Sequence, residues 1–133
     1  MELFDGVGTF CVEMFVTKEG KVLVNEVAPR VHNSGHYTIE ACSTSQFKNH
    51  VRAIVGLSPA SPEMVAPAAV MKNLVGNFNG AKRALKMKDT SVHIYDKTEC
   101  KPGRKMGHIT MLGHEDDLEK RLKKLDKSAE KCQ

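Results

Sequence analysis

The chain has no tryptophan, and aromatic residues make up only 5% of its 133 positions. Whatever core it has must be aliphatic and methionine-rich. A nucleic-acid platform, which needs aromatics interleaved with basic residues, is disfavoured. The net charge of +4 is too small to argue for a polyanionic partner by itself. No apolar run reaches the ~18 residues of a membrane span and no secretory signal opens the sequence. No membrane or nucleic-acid partner is therefore expected, and a cytoplasmic location is. Four cysteines, Cys11, Cys42, Cys100 and Cys132, include no C-x-x-C pair, which speaks against a zinc knuckle or a disulfide framework. A glycine-rich phosphate loop is also missing: Gly8 and Gly76 stand singly, and Lys18-Glu19-Gly20-Lys21 has the look of a hairpin turn.

What is present divides into two stretches of mixed character, an α+β chain long enough for one domain or two small lobes. MELFDGVG resembles the last turn of a helix, too short a stump to open a domain, so further residues upstream are expected. Residues 9–17 and 21–28 alternate as the arms of a β-hairpin, which Pro29 ends because it has no N–H to give a ladder. Residues 32–42 look irregular. A helix fits 44–55, with Ser43-x-x-Gln46 as a capping box, Phe47, Val51, Ile54 and Val55 on one face, and Gly56 after its end. Positions 58–67 carry Pro59, Pro62 and Pro67 and read as a linker between parts 1–57 and 68–133. Beyond it, strands are expected at 68–76, 91–97 and 107–113 and a short helix at 80–88. A terminal helix presents Leu118, Leu122, Leu125, Ala129 and Cys132 as one stripe, which could cover the chain's own core or dock a partner protein.

The hairpin carries two carboxylates. A two-residue turn at Glu19-Gly20 would set Glu13 directly across from Glu26, with Cβ atoms roughly 5 Å apart on one face. A three-residue turn, Lys18-Glu19-Gly20, would set Glu13 across from Asn25 instead, and turn chemistry leaves both registers open. Most hairpin glutamates simply face water. Here both lie among apolar neighbours (CVEMF, and Glu26 before Val27-Ala28), which favours partial burial. Two such charges need a shared proton, basic neighbours or a divalent cation with hard oxygen ligands, and magnesium fits that description. Just beyond, NEVAPRVHNSGH crowds Arg30, His32, Asn33, Ser34, Gly35 and His36 into one loop. His32 and His36 could suggest a zinc pair, but Asn33-Ser34-Gly35 argues against a helix, and zinc wants further ligands.

VEMFVTKEGKVLVNEVAPRVHNSGHYTIEACSTSQF resembles the closing part of the ATP-grasp domain of the carboxyaminoimidazole ribonucleotide synthase family, the ATPase part of phosphoribosylaminoimidazole carboxylase. YDKTECKPGRKMGHIT is similar to the C-terminal lobe of the same family. The resemblance implies the end of an antiparallel ATP-grasp sheet with a helix, then a small β-rich lobe and a terminal helix. It implies a ligase of purine biosynthesis that uses ATP and bicarbonate to carboxylate aminoimidazole ribonucleotide through carboxyphosphate.

By the same resemblance, Glu13 and Glu26 hold magnesium, and Asn25 and Glu26 contact the nucleotide. Arg30 and His36 are the catalytic candidates. Arg30, Asn33 and Ser34 bind bicarbonate or the intermediate, while Lys97, Arg104 and Lys105 bind the 5′-phosphate of the ribonucleotide. His108 supports that loop, and His50 and His93 read as structural. The family also needs N-terminal lobes bearing the lysines and the glycine-rich loop over the phosphates, so this chain by itself is expected to be inactive. Its exposed hairpin edge invites a homodimer or marginal stability. The lysine-rich ending KSAEKCQ resembles either a tail or a junction to a following carboxylase-mutase domain.

Overall fold

A computed structural model describes residues 5–126. The chain separates after Glu63 into two compact units. The first four residues of MELFDGVG, and Ala129 and Cys132 of the terminal stripe, lie outside the described residues.

The first unit is built on the hairpin of β1 (Cys11–Val16) and β2 (Val22–Ala28). Its tip takes the three-residue form. Gly20 sits in the left-handed region at φ +79°. The Gly20 N–H donates to Thr17 O at 3.0 Å, and Thr17 N–H to Lys21 O at 2.8 Å. Next to the tip, Val16 faces Val22, Phe15 faces Leu23 and Met14 faces Val24. The register then slips by one at a bulge, so that Glu13 faces Glu26, Val12 faces Val27 and Cys11 faces Ala28. Both registers left open by the sequence are therefore used, one on each side of Asn25.

After β2 the chain is not irregular as expected. It forms a 3-10 turn (Asn33–Gly35) and a single helical turn, α1 (Thr38–Ala41), before α2 (Gln46–Ile54). The cap of α2 is Ser45, whose hydroxyl accepts from Lys48 N–H at 3.2 Å, rather than Ser43. Gln46 is freed from the expected capping box for another task. At the far end, Leu57 N–H reaches Arg52 O at 2.8 Å and Gly56 N–H reaches Ala53 O at 3.0 Å. Gly56 at φ +77° completes this C-terminal cap. Residues 58–63 are strapped back onto the unit. The Asn49 amide exchanges hydrogen bonds with Ala60 N–H (2.8 Å) and O (2.9 Å), and Ser43 reaches Ser61 O and Glu63 O.

The second unit is an antiparallel sheet in the order β3 (Ala68–Val75), β5 (Lys105–Gly113), β4 (Thr90–Ile94). β5 is central and nearly all buried, and Gly107 is required there because any Cβ would stand 2.2 Å from His93 O. Between β3 and β4 only one helical turn forms, α3 (Ala81–Ala84), shorter than the predicted 80–88. Leu118 and Leu125 of α4 (Glu115–Asp126) bury against Leu74, Ala84, Ile109 and Met111, with Leu122 packed beside them. The described part of that stripe therefore packs on the unit's own core. No described helix is long and apolar enough to cross a membrane.

The Thr17 hydroxyl and the backbone at Glu19 together hold the Glu19 carboxyl below the usual carboxylate range. A depressed folded pKa means that this contact supports the turn above the unfolded value and is lost as pH falls through the folded one. Acidification below about pH 4 is therefore expected to shift the Thr17–Lys21 amides in an NMR titration. Thr17→Val should move the Glu19 midpoint up towards that of a free glutamate. An unchanged midpoint would refute the assignment.

Candidate active site

The bulge decides what the hairpin can do. An extra residue in one strand re-aims the side chains around it. Here it brings Asn25 and Glu26 of β2 to the same place as Glu13 of β1. The Asn25 amide donates to Glu13 Oε2 at 3.3 Å. His32 Nε2 stands 3.1 Å from Glu13 Oε1. One ligand atom each from Glu13, Glu26 and His32 lies within 4.8 Å of the others. Glu13 is half-buried, but Glu26 is exposed, against the expectation that both would be partly buried. The apolar residues around them are themselves open, Val24 at 66% and Phe15 at 58%, so the hairpin faces provide no low-dielectric cover.

The loop beyond β2 is folded around His32. Its Nδ1 accepts from Ser34 N–H at 3.3 Å and lies 2.8 Å from Ser34 Oγ. A ring nitrogen that accepts from a backbone N–H carries no proton, so in the neutral ring the proton sits on Nε2 and points at Glu13. His32 is thus a donor to Glu13. Arg30 is exposed, with one guanidinium nitrogen donating to Val31 O at 3.0 Å. Asn33 and Ser34 lie in the 3-10 turn. His36 faces elsewhere: its ring packs on Phe47 with centroids 5.2 Å apart, and its Nδ1 is 2.8 Å from Gln46 Nε2. The two histidines therefore do not form a metal pair. His50 accepts from Thr9 N–H at 3.0 Å, tying α2 to the entry of β1.

In the second unit the loop between β4 and β5 gathers the basic residues. Lys97 Nζ donates to Lys105 O at 2.6 Å and lies 5.5 Å from the Tyr95 ring centroid. Arg104 donates to Glu99 O at 3.5 Å, and its own carbonyl accepts from Gly76 N–H at 2.7 Å. Lys105 is exposed. Lys101 is paired with Glu99 at 2.7 Å, which leaves it less available to an anion than its neighbours. Beneath the loop, the Tyr95 hydroxyl is 2.7 Å from His108 Nδ1, and His93 stacks on His108 at 4.4 Å. The anchoring role expected of His108 has this geometry behind it.

Three features went unseen in the sequence: the bulge, His32 as the partner of Glu13, and the use made of Gln46. Only the bulge left a trace, in the two successive polar residues Asn25-Glu26 that break the alternation of β2.

Comparison with known proteins bears on both units. A model of the ATP-grasp domain matches residues 1–47, and one of the phosphoribosylaminoimidazole carboxylase C-terminal domain matches residues 69–121. The chain is 52% identical over 116 residues to the chloroplastic phosphoribosylaminoimidazole carboxylase of Vigna aconitifolia, a match covering 80% of this chain and 21% of that protein. Among solved structures it is similar to the N5-carboxyaminoimidazole ribonucleotide synthetase of Thermotoga maritima. There the TM-score is 0.81 at 50% identity, covering 94% of this chain and 37% of that one. It is also similar to the Aspergillus clavatus N5-carboxyaminoimidazole synthase solved with ADP and 5-aminoimidazole ribonucleotide. That match has a TM-score of 0.82 at 40% identity and covers 90% of this chain and 34% of that one. The chain thus spans between 21% and 37% of the length of these relatives. Sequence and fold agree in both units, and the chain belongs to the N5-carboxyaminoimidazole ribonucleotide synthase family of ATP-grasp proteins, matching its ATP-grasp domain and then its C-terminal domain.

Proposed function

We propose that the chain carries the metal–nucleotide hairpin, the anion loop and the phosphate loop of an ATP- and bicarbonate-dependent ligase. Its substrate is aminoimidazole ribonucleotide, carboxylated on the exocyclic amine through carboxyphosphate in purine biosynthesis, in the cytoplasm. The observation that carries this is the Glu13–Glu26 pair brought face to face by the bulge at Asn25. Two adjacent carboxylates are a hard oxygen donor set, and His32, donating from Nε2, offers no lone pair there. That suits magnesium and not zinc. Glu13 and Glu26 would hold the ion, and its positive charge would offset that of the nucleotide phosphates.

Each remaining residue has a part. Asn25 steadies Glu13 and contacts the nucleotide beside it. Arg30 holds bicarbonate and then the carboxyphosphate anion in a bidentate grip, for which a planar guanidinium is suited. Asn33 and Ser34 offer short donors to the same anion. His36, turned toward Gln46 and Phe47, contributes by shaping the loop. Lys97, Arg104 and Lys105 hold the ribonucleotide phosphate; the Lys97 ammonium, held against Lys105 O, retains further N–H donors for it. Groups that cover the nucleotide phosphates would come from sequence outside these 133 residues. Docking to a partner protein through α4, the rival reading, loses its basis because Leu118 and Leu125 are buried in their own unit.

An NMR titration tests the assignment in two arms. Mn2+ should broaden the amides around Glu13, Asn25 and Glu26, and Glu26→Gln should weaken that binding on the order of a hundredfold. Aminoimidazole ribonucleotide should shift residues 97–108 in both proteins. Equal loss of both responses in the variant would make Glu26 a structural residue, and silence at 97–108 would remove the phosphate site. Bicarbonate-dependent ATP hydrolysis by the chain alone is expected at background, and robust turnover would overturn the division of labour described here. The same proposal includes a homodimer paired along the open hairpin edge. Light scattering should then give a mass above 14.7 kDa, and a well-behaved monomer would dismiss it.

A further inference from the structure

We propose that Gln46 is a positioning residue for the hairpin site: its carboxamide locks the peptide and ring geometry of His32, and through His32 the Glu13 carboxylate. Gln46 opens α2, whose cap is already supplied by Ser45, so helix capping does not explain its side-chain contacts. Its Oε1 accepts from His32 N–H at 3.0 Å, and its Nε2 donates to His32 O at 2.7 Å and lies 2.8 Å from His36 Nδ1. One side chain thus grips both peptide groups of His32. A flipped amide would set Nε2 against the His32 N–H, donor against donor, so the contacts fix the orientation.

The bonds also fix protons. An amide NH2 can only donate, so His36 Nδ1 must accept, and the neutral His36 ring carries its proton on Nε2. With the His32 peptide held, its Nδ1 meets Ser34 N–H and its Nε2–H meets Glu13 Oε1 at 3.1 Å. A continuous chain of hydrogen bonds therefore runs from the start of α2 to the carboxylate. The loop is shaped to admit it. A Cβ on Gly35 would stand 2.6 Å from Gln46 Oε1, so glycine at this position makes room for the carboxamide. The Gln46 main chain is fastened too, since its N–H donates to Thr38 Oγ1 at 3.0 Å while the Thr38 hydroxyl donates to Gly35 O.

The inference deepens the proposed function and shares its reliance on Glu13 as a metal carboxylate, yet it can be tested without metal. Long-range 1H–15N spectra of the whole chain report imidazole tautomers. In the wild type, His32 and His36 should each show a single Nε2–H form. Gln46→Ala should let both rings average between tautomers, and Gln46→Glu, which keeps the acceptor but removes the donor, should switch His36 to a form protonated on Nδ1. If Gln46→Ala unfolds α2, the near-isosteric Gln46→Glu still decides. Unchanged His32 and His36 signatures in a folded variant would overturn the proposal. With Mn2+ as probe, Gln46→Ala should weaken binding on the order of tenfold, the lower end for a partner outside the ligands themselves. If the wild-type chain takes up no Mn2+, the metal assignment of Glu13 and Glu26 falls, while the tautomer readout continues to decide whether Gln46 positions His32.

Discussion

Glu13 and Glu26 are like charges set opposite one another across a hairpin, where two strands alone would gain by keeping them apart. The structure around them works to hold the pair in place. Asn25 and the Nε2–H of His32 both donate to Glu13, one to each carboxylate oxygen. Glu26 is left exposed, so its charge keeps its hydration. A regular three-residue hairpin register would have carried Asn25 across from Glu13 and turned Glu26 to the opposite face.

The units are held together by different physics. In the second unit, Leu74, Ile109 and Met111 of a three-stranded sheet meet Leu118 and Leu125 of α4 in a buried cluster. Dispersion and the hydrophobic effect dominate there. In the first unit few side chains are buried, and the loop from Arg30 to Gln46 is held by directed contacts instead: Gln46 to His32 and His36, and Thr38 to Gly35. Hydrogen bonds constrain angle as well as distance, which suits the proposed task of presenting an arginine and short donors to an anion.

The elements that local pattern controls were legible beforehand. The hairpin arms, the central strand of the second unit, the α4 stripe and the glycine after α2 all follow from alternation, period or a positive φ, each a property of a few neighbouring residues. Sequence pattern and structure part where distant partners intervene. Ser43-x-x-Gln46 fits a capping box, yet Gln46 is drawn to His32 and Ser45 takes the cap. Residues 80–88 have helical composition, but only Ala81–Ala84 form a helical turn. Thr90, beyond them, already belongs to β4. His32 looked like a loop residue or a weak metal ligand because nothing local shows that its ring meets a strand.

From the sequence alone came the two-part α+β plan, the resemblance of each part to one enzyme family, and the residue types available for magnesium, anion and phosphate. These are matters of composition and short-range spacing. Tertiary structure alone decided that a bulge beyond the three-residue turn returns Glu26 to Glu13, that His32 faces one way and His36 the other, and that Gln46 binds the loop. The turn is a local matter, but the meetings of His32 with Glu13 and of Gln46 with His32 join atoms far apart in the chain, and no local pattern of residues encodes them.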